Sequence, residues 1–150
     1  MNTLIICVLV TWWLFFPVYP GWVFLMYKIV IVTSRKDDFG KFGKALETAD
    51  KGISLQWVRS GPDALAVASE TPPDLLIADE ILDDMEGLTL IWKLLGINAM
   101  INTALVSPLS ASEFHEATEG LGILSNLPIV PGETDAQAIF TRLVEVVGPK

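Results

Sequence analysis

The stretch Pro73-Asp74-Leu75-Leu76-Ile77-Ala78-Asp79-Glu80 decides the fold of this chain. Its centre, Leu75 to Ala78, is a short and uniformly apolar run. Such a run predicts a strand that is buried on both faces, as in a parallel sheet. Asp79 follows at the carboxyl end of this strand, which is where open α/β sheets collect ligands and chemistry. Asp79 is therefore the first candidate for a functional carboxylate.

Outward from this strand, apolar β-branched runs alternate with amphipathic helical patterns along the chain. The predicted strands are residues 29–32, 53–58, 75–78, 103–106 and 122–124. The predicted helices cover residues 39–49, 60–70, 88–95, 110–119 and 135–147. Ser60 is expected to cap the second helix, and Ser110 with Glu113 forms a capping box for the fourth. This alternation predicts an α/β fold, a five-stranded parallel sheet with helices on both faces.

Length and charge set outer bounds on the function. The chain has 150 residues, which suits one domain, and a net charge of −8 that arises entirely from Lys28 onward. An acidic surface of this kind argues against nucleic-acid binding, which needs clustered Lys and Arg. The single cysteine, Cys7, excludes an internal disulfide and a cysteine-built metal site. A cytoplasmic location is expected.

Residues 1–27 form an uncharged, hydrophobic N-terminal segment ahead of a domain that covers residues 28–150. Its apolar length suggests a membrane tether, which would place the domain at the inner face of the membrane. Prolines interrupt the segment, however, and Asn2 to Phe16 alone would span only ~22 Å as a helix, against a hydrocarbon core of ~30 Å. The other interpretation is an upstream extension of the reading frame, with Met26 as the natural start. Both interpretations stay open.

Residues 28–147 resemble the receiver domain of two-component response regulators. The resemblance rests on Val58-Arg59-Ser60-Gly61-Pro62-Asp63-Ala64-Leu65, on Pro73 to Asp79, and on Gly87 eight residues after Asp79. It implies a flavodoxin-like sheet of order 2-1-3-4-5. It also implies that Asp79 is the phosphoacceptor, which would receive a phosphoryl group from a histidine kinase.

The same resemblance implies that most of the helpers of this aspartate are replaced. Thr33 and Ser34 stand at the positions of the family's acidic pair, so Mg²⁺ affinity is expected to be weak, with Asp79 as the only metal-ligand candidate. Asn126 stands at the position of the family's lysine. Ser107 matches the family's switch hydroxyl after the fourth strand.

Asp37 and Asp38 lie close behind the substituted acidic pair. They are predicted to begin the first helix, where carboxylates suit the helix dipole, rather than to reach the site. Ile123 replaces the aromatic residue that the family places on its fifth strand.

These comparisons predict a stand-alone, receiver-like signal-transduction domain that acts through protein contacts, with weak or lost phosphorylation at Asp79. The alternative is a phosphorylation-competent response regulator that uses Mg²⁺. Enzymatic activity would at most be autophosphorylation and autodephosphorylation at Asp79. The expected partners are a histidine kinase or another signalling protein, with a homodimer through helix 4, strand 5 and helix 5 as a further contact. Nucleic acid is not an expected partner, and the membrane is one only if residues 1–27 are a genuine segment.

Overall fold

The computed structural model describes residues 26–150, so the two interpretations of the preceding segment lie outside the described residues. The strands are β1 (Tyr27–Val32), β2 (Ile53–Val58), β3 (Leu75–Ala78), β4 (Asn102–Val106) and β5 (Ser125–Leu127). The helices are α1 (Gly40–Ala49), α2 (Gly61–Glu70), α3 (Gly87–Ile97), α4 (Ala111–Thr118) and α5 (Glu133–Val147). A 3₁₀ turn, Lys36–Phe39, leads into α1. No helix within this part of the chain is long and apolar enough to cross a membrane.

The five strands form one sheet of order β2-β1-β3-β4-β5, and every pairing is parallel. The predicted fold class and strand order are thereby confirmed. β3 runs over the predicted residues, is buried at every position, and lies between β1 and β4. Its carboxyl end therefore has a neighbouring strand on each side.

Side chains of the central strands alternate between two cores, one on each face of the sheet. One core joins Ile29 and Ile31 of β1 to α1 and α5. The other joins Val30 and Val32 to α2 and α3. Both cores consist of buried side chains, so the strand ends near Asp79 are packed between the two layers of helices.

The prediction for the fifth strand was wrong. β5 covers Ser125–Leu127, not residues 122–124. Gly120 and Gly122 have φ angles of 80° and 63°, the left-handed region that favours glycine, and a turn that includes Gly120 lies directly before the expected strand. The backbone N–H of Leu124 then donates to the Thr103 carbonyl at 2.7 Å, and the ladder follows through polar residues that carried no strand pattern.

Helix boundaries depend on the residues that cap them. Ser60 accepts from the Asp63 backbone N–H at 3.3 Å, and the capping box of Ser110 and Glu113 is present, as expected. Helix α3 continues through Gly96 to Ile97, past its predicted end. Helix α5 begins at Glu133, two residues before its predicted start, because the Asp135 carboxylate accepts from the Gly132 N–H at 2.8 Å and so lies in the first turn.

Candidate functional site

The candidate site lies where β1 and β3 end side by side. Val32 pairs with Ala78 in the sheet, and the Asp79 N–H donates to the Val32 carbonyl at 2.9 Å. The residues that follow each strand are therefore neighbours, so Thr33 and Asp79 meet. Their proximity follows directly from the position of β1 between β2 and β3.

The Asp79 carboxylate is fully buried, and both of its oxygens are occupied by hydrogen-bond donors. Oδ2 accepts from the Thr33 hydroxyl at 2.6 Å and from Arg35 Nε at 3.2 Å. Oδ1 accepts from Arg35 Nη2 at 2.7 Å and from the Glu80 backbone N–H at 2.9 Å. Buried charges are tolerated when they are paired and hydrogen-bonded, and this carboxylate meets both conditions.

The sequence comparison missed Arg35, which is the ion-pair partner of Asp79. Its guanidinium donates two parallel N–H hydrogen bonds to the Asp79 carboxylate, which is the bidentate geometry typical of arginine–carboxylate pairs. The Thr33 hydroxyl oxygen also accepts from the Arg35 backbone N–H at 3.0 Å, which fixes the start of the loop. The signal was a cation two residues beyond Thr33, at the end of the strand next to Asp79.

The environment of Arg35 favours its charged form. The hydrogen bonds and the charge of Asp79 raise the pKa of Arg35 above its ordinary value, and they outweigh the opposing effect of burial. A cation whose pKa is raised on folding adds stability below its ordinary pKa and loses that stability only at higher pH. The Arg35 side of the pair therefore stays charged throughout the pH range in which proteins are handled.

The carboxylates behind the substituted acidic pair do not bond to Asp79. Asp37 and Asp38 lie in the 3₁₀ turn that opens the first helical segment, where they were expected. Asp38 Oδ2 accepts from Arg35 Nη1 at 3.2 Å, so Arg35 bridges a surface carboxylate and a buried one. Asp38 thereby helps to orient the guanidinium toward Asp79.

The other predicted site residues lie around Asp79 without bonding to it. Ser34 is half-buried and lines a cleft with Arg35 and Trp57. Ser107 is nearly buried, and its hydroxyl oxygen accepts from the Leu109 N–H at 3.2 Å. Ser107 lines a second cleft, together with Glu80, on the β4 side of Asp79.

Asn126 is the middle residue of β5 and pairs with Leu105 of β4. Its amide nitrogen donates to the Leu109 carbonyl at 3.3 Å, and its amide oxygen is buried without a protein partner. Asn126 and Ser107 thus share a loop on the β4 side. The structure brings Thr33 and Asp79 together, adds Arg35, and leaves Ser107 and Asn126 hydrogen-bonded to Leu109.

The donor set around Asp79 does not fit Mg²⁺. This ion prefers several oxygen ligands, usually including carboxylates, at near-octahedral geometry. The oxygens of Asp79 already accept from a guanidinium, and the adjacent side chains of Thr33 and Ser34 are neutral. Within residues 26–150 no group of three or more His, Cys, Asp or Glu side chains is arranged to hold a metal ion.

Gly87 fixes the loop that follows Asp79. Its N–H donates to the Glu80 carbonyl at 2.8 Å, and the Leu82 N–H donates to the Met85 carbonyl at 2.9 Å within the same loop. A Cβ atom on Gly87 would overlap the backbone carbonyl oxygen of Asp79. A glycine at this position therefore lets α3 start directly against the end of β3.

The parallel sheet of order 2-1-3-4-5, with an aspartate at the end of its central strand, defines a receiver-type fold. A scan against family models finds none that matches the sequence, and a search of the curated proteins finds no match. Solved structures do match, and their titles consistently describe response regulators or their receiver domains.

Three of these structures show the extent of the likeness. A two-component response regulator from Clostridium difficile is 20% identical, with a TM-score of 0.70 over 83% of this chain and 100% of that one. A CheY-like receiver domain protein from Methanospirillum hungatei is 20% identical, with a TM-score of 0.68 over 80% of this chain and 95% of that one. The response regulator DrrB from Thermotoga maritima is 19% identical, with a TM-score of 0.68; the match covers 81% of this chain and about half (54%) of DrrB. At these identities the likeness shows a shared fold.

Proposed function

We propose that this chain is a receiver-type signalling domain that acts through protein contacts, with Asp79 held by Arg35 instead of cycling through phosphorylation. The observation that carries the proposal is the bidentate pair between the Arg35 guanidinium and the buried Asp79 carboxylate. A carboxylate that attacks a phosphoryl group must present a free oxygen lone pair. Both Asp79 oxygens are directed at donors instead.

Releasing Asp79 would be costly. Breaking a fully buried ion pair typically costs 3–5 kcal/mol, and the Arg35 side chain is 36% exposed, so we take about 2–3 kcal/mol here. Each 1.4 kcal/mol corresponds to roughly a factor of ten, so the reactive form would be a minor population. The resemblance to receiver domains also implies that the Mg²⁺-binding acidic pair is replaced, at Thr33 and Ser34, and that the lysine that would neutralise an incoming phosphoryl group is replaced by Asn126. Under this proposal, phosphoryl transfer to Asp79 is lost or too weak to leave a detectable adduct.

The partner in this proposal is a histidine kinase or another signalling protein, in the cytoplasm. The face formed by α4, β5 and α5 is the expected contact, and it could also pair two copies of the chain. A shallow cleft on this face is lined by His115, Ile123 and Arg142. Arg142 donates to the Leu124 carbonyl at 3.0 Å, so the two sides of this cleft are joined. A defined surface of this kind supports docking without any chemistry at Asp79.

The second candidate is a phosphorylation-competent response regulator. It is favoured by the position of Asp79 directly after β3 and by the exposed flank of Arg35, through which the pair could open to solvent. In that case Ser107, which lines the neighbouring cleft, would act as the switch hydroxyl.

Incubation of the full chain with Mg²⁺ and acetyl phosphate, followed by intact-mass measurement, separates the two candidates. The docking proposal predicts no added phosphoryl mass on the wild-type chain. A phosphoryl adduct that disappears in Asp79→Ala would overturn it and establish the competent regulator.

The matched gain-of-function variant is Thr33→Asp, Ser34→Asp, Arg35→Ala, which restores two carboxylates and removes the guanidinium. We expect this variant to bind Mg²⁺ and to be stabilised by it, because the ion relieves the repulsion between clustered carboxylates.

A cellular test addresses the role of protein contacts. Asp79→Asn removes the nucleophilic carboxylate and keeps a side chain of the same shape. The docking proposal predicts that signalling by this variant persists, whereas the competent regulator requires that it fail.

A further inference from the structure

The amino-terminal end of the sheet is the end at which the described part of the chain begins. β1 begins at Tyr27, so Met26 lies at that end. The strands are parallel and the helices run back between them, so strand starts and helix ends share this side of the domain. Ile97 ends α3 there, and Met100 precedes β4.

Apolar side chains are exposed at this end. Met100 is 87% exposed, more than any other large hydrophobic residue in the described part of the chain, and Met26 and Ile97 are also exposed. Only β3 separates β1 from β4, so the starts of these two strands lie about 10 Å apart. Met26, Ile97 and Met100 therefore define one surface, called the basal patch below. Val146, in the last turn of α5, is exposed at the same end.

The exposed apolar residues at the opposite end lie close to an acidic loop. At the Asp79 end, Ile81 and Val130 are also exposed, but the loop after β3 carries three exposed carboxylates beside them. These are Asp83, Asp84 and Glu86. Moving carboxylates into a low-dielectric layer is unfavourable, and anionic headgroups would repel them.

At the basal end exposed carboxylates, among them Asp50 and Glu145, lie among lysines. Asp74 is neutralised by Lys150 at 2.6 Å, and Lys28 and Lys51 are exposed. Lysine side chains can extend along an apolar surface while their amines reach anionic headgroups.

We propose that the basal patch rests on a lipid bilayer, at the place where the first 25 residues reach it. The sequence supports this occupant. Residues 1–25 contain no charged side chain and include Trp12, Trp13 and Trp22. Tryptophan favours the boundary between lipid and water, and the segment joins the domain directly at Met26, with no polar linker. A bilayer that receives this segment is held within contact distance of Ile97 and Met100.

The test uses two single-cysteine variants of the full chain, each in a Cys7→Ser background. One carries Met100→Cys in the basal patch; its matched control carries Val130→Cys at the opposite end, where the native side chain is 61% exposed. Each is labelled with a nitroxide and mixed with vesicles of equal parts phosphatidylcholine and phosphatidylglycerol. Collision with a water-soluble nickel complex and with oxygen, which concentrates in lipid, is then measured by electron paramagnetic resonance.

We expect vesicles to lower the nickel accessibility of the Met100→Cys label several-fold and to raise its oxygen accessibility, while the control label stays unchanged. Equal nickel accessibility of the two labels on vesicles would overturn the proposal, as would failure of the full chain to bind vesicles. A Met100→Cys label that is already shielded without vesicles would also overturn it. In that case the N-terminal segment or a second copy of the chain covers the patch.

Discussion

Two aspartates flank β3, and each is paired with one cation. Asp74 precedes the strand and bonds Lys150 Nζ at 2.6 and 2.7 Å and the Lys28 N–H at 2.8 Å. Asp79 follows the strand and bonds Arg35, Thr33 and the Glu80 N–H. The Asp74 side chain is 19% exposed, whereas that of Asp79 is fully buried.

The difference shows how burial changes the energetic contribution of an ion pair. At Asp74 water can replace the ammonium, so loss of the pair with Lys150 would cost little free energy. At Asp79 no water reaches the carboxylate, and the planar fork of Arg35 supplies what solvent and metal would otherwise supply. The first pair holds Lys150 against the start of β3, and the second directs donors at both oxygens of the Asp79 carboxylate.

The largest expected effect comes from Gly87, because the backbone of Asp79 leaves no space for a Cβ atom there. Gly87→Ala would force its Cβ against the Asp79 carbonyl oxygen, and we expect a loss of about 3 kcal/mol in unfolding free energy, as for a severe overpacking change. Gly96, in the same helix near the Asp74 end, has open space at its Cβ position. Gly96→Ala should stabilise the chain by roughly 0.5–1 kcal/mol, since alanine favours a helix interior. Urea unfolding of the full chain measures both, and equal losses would mean that the close approach at Gly87 is absent.

Removal of Arg35 should have the next largest effect. Arg35→Ala leaves a buried charge without its cation and should lower the unfolding free energy by about 2–3 kcal/mol. Asp79→Ala removes the buried charge itself and leaves Arg35 with Asp38, so about 1 kcal/mol is expected. The prediction is this order, measured by urea unfolding. A larger loss in Asp79→Ala than in Arg35→Ala would contradict the view that Arg35 compensates a buried carboxylate.

Lys150→Ala provides the matched change at the other end of β3. Both partners of this pair are partly exposed, and we expect a loss of about 0.5 kcal/mol that shrinks further at high salt. A loss as large as that of Arg35→Ala would erase the contrast between the two ends. Unfolding measured at low and high ionic strength decides the matter.

The smallest expected effect lies at the start of α4. Hydrogen bonds from the Ser110 hydroxyl and backbone lower the pKa of Glu113 below its ordinary value of 4.5. A carboxyl whose pKa is lowered on folding adds stability above its ordinary pKa, and this stability is lost as the pH falls through the lowered value. Glu113→Gln should therefore melt slightly earlier than the wild-type chain at neutral pH and equally at acidic pH. A difference in melting temperature that is independent of pH would argue against the capping box as its cause.

Most of the fold could be predicted because the strands and caps carry local signals. Leu75–Ala78 reads as a buried strand from its apolar run alone, and Ser60 marks the start of a helix by its residue type. β5 was misplaced because its ladder runs through Ser125 and Asn126, which have no strand pattern, while the apolar residues before them follow a glycine turn. Here sheet pairing with β4 overrides the local sequence signal.

The candidate site was predicted in part. The position of Asp79 at the carboxyl end of β3 could be predicted because it depends on one strand alone. Its pairing with Arg35 depends on which strands are neighbours and on where a long side chain turns, and spacing along the chain encodes neither. The cytoplasmic location, the histidine-kinase partner, and the assignments of Ser107 and Asn126 stay predictions.

We propose that Arg35 occupies Asp79 and thereby excludes a phosphoryl group. Fluorine NMR of the full chain with Mg²⁺ and beryllofluoride, which mimics a phosphoryl group on an aspartate, tests it most directly. We expect no protein-bound fluoride signal for the wild-type chain and a signal for Thr33→Asp, Ser34→Asp, Arg35→Ala. A bound signal on the wild-type chain that Asp79→Ala abolishes would contradict it.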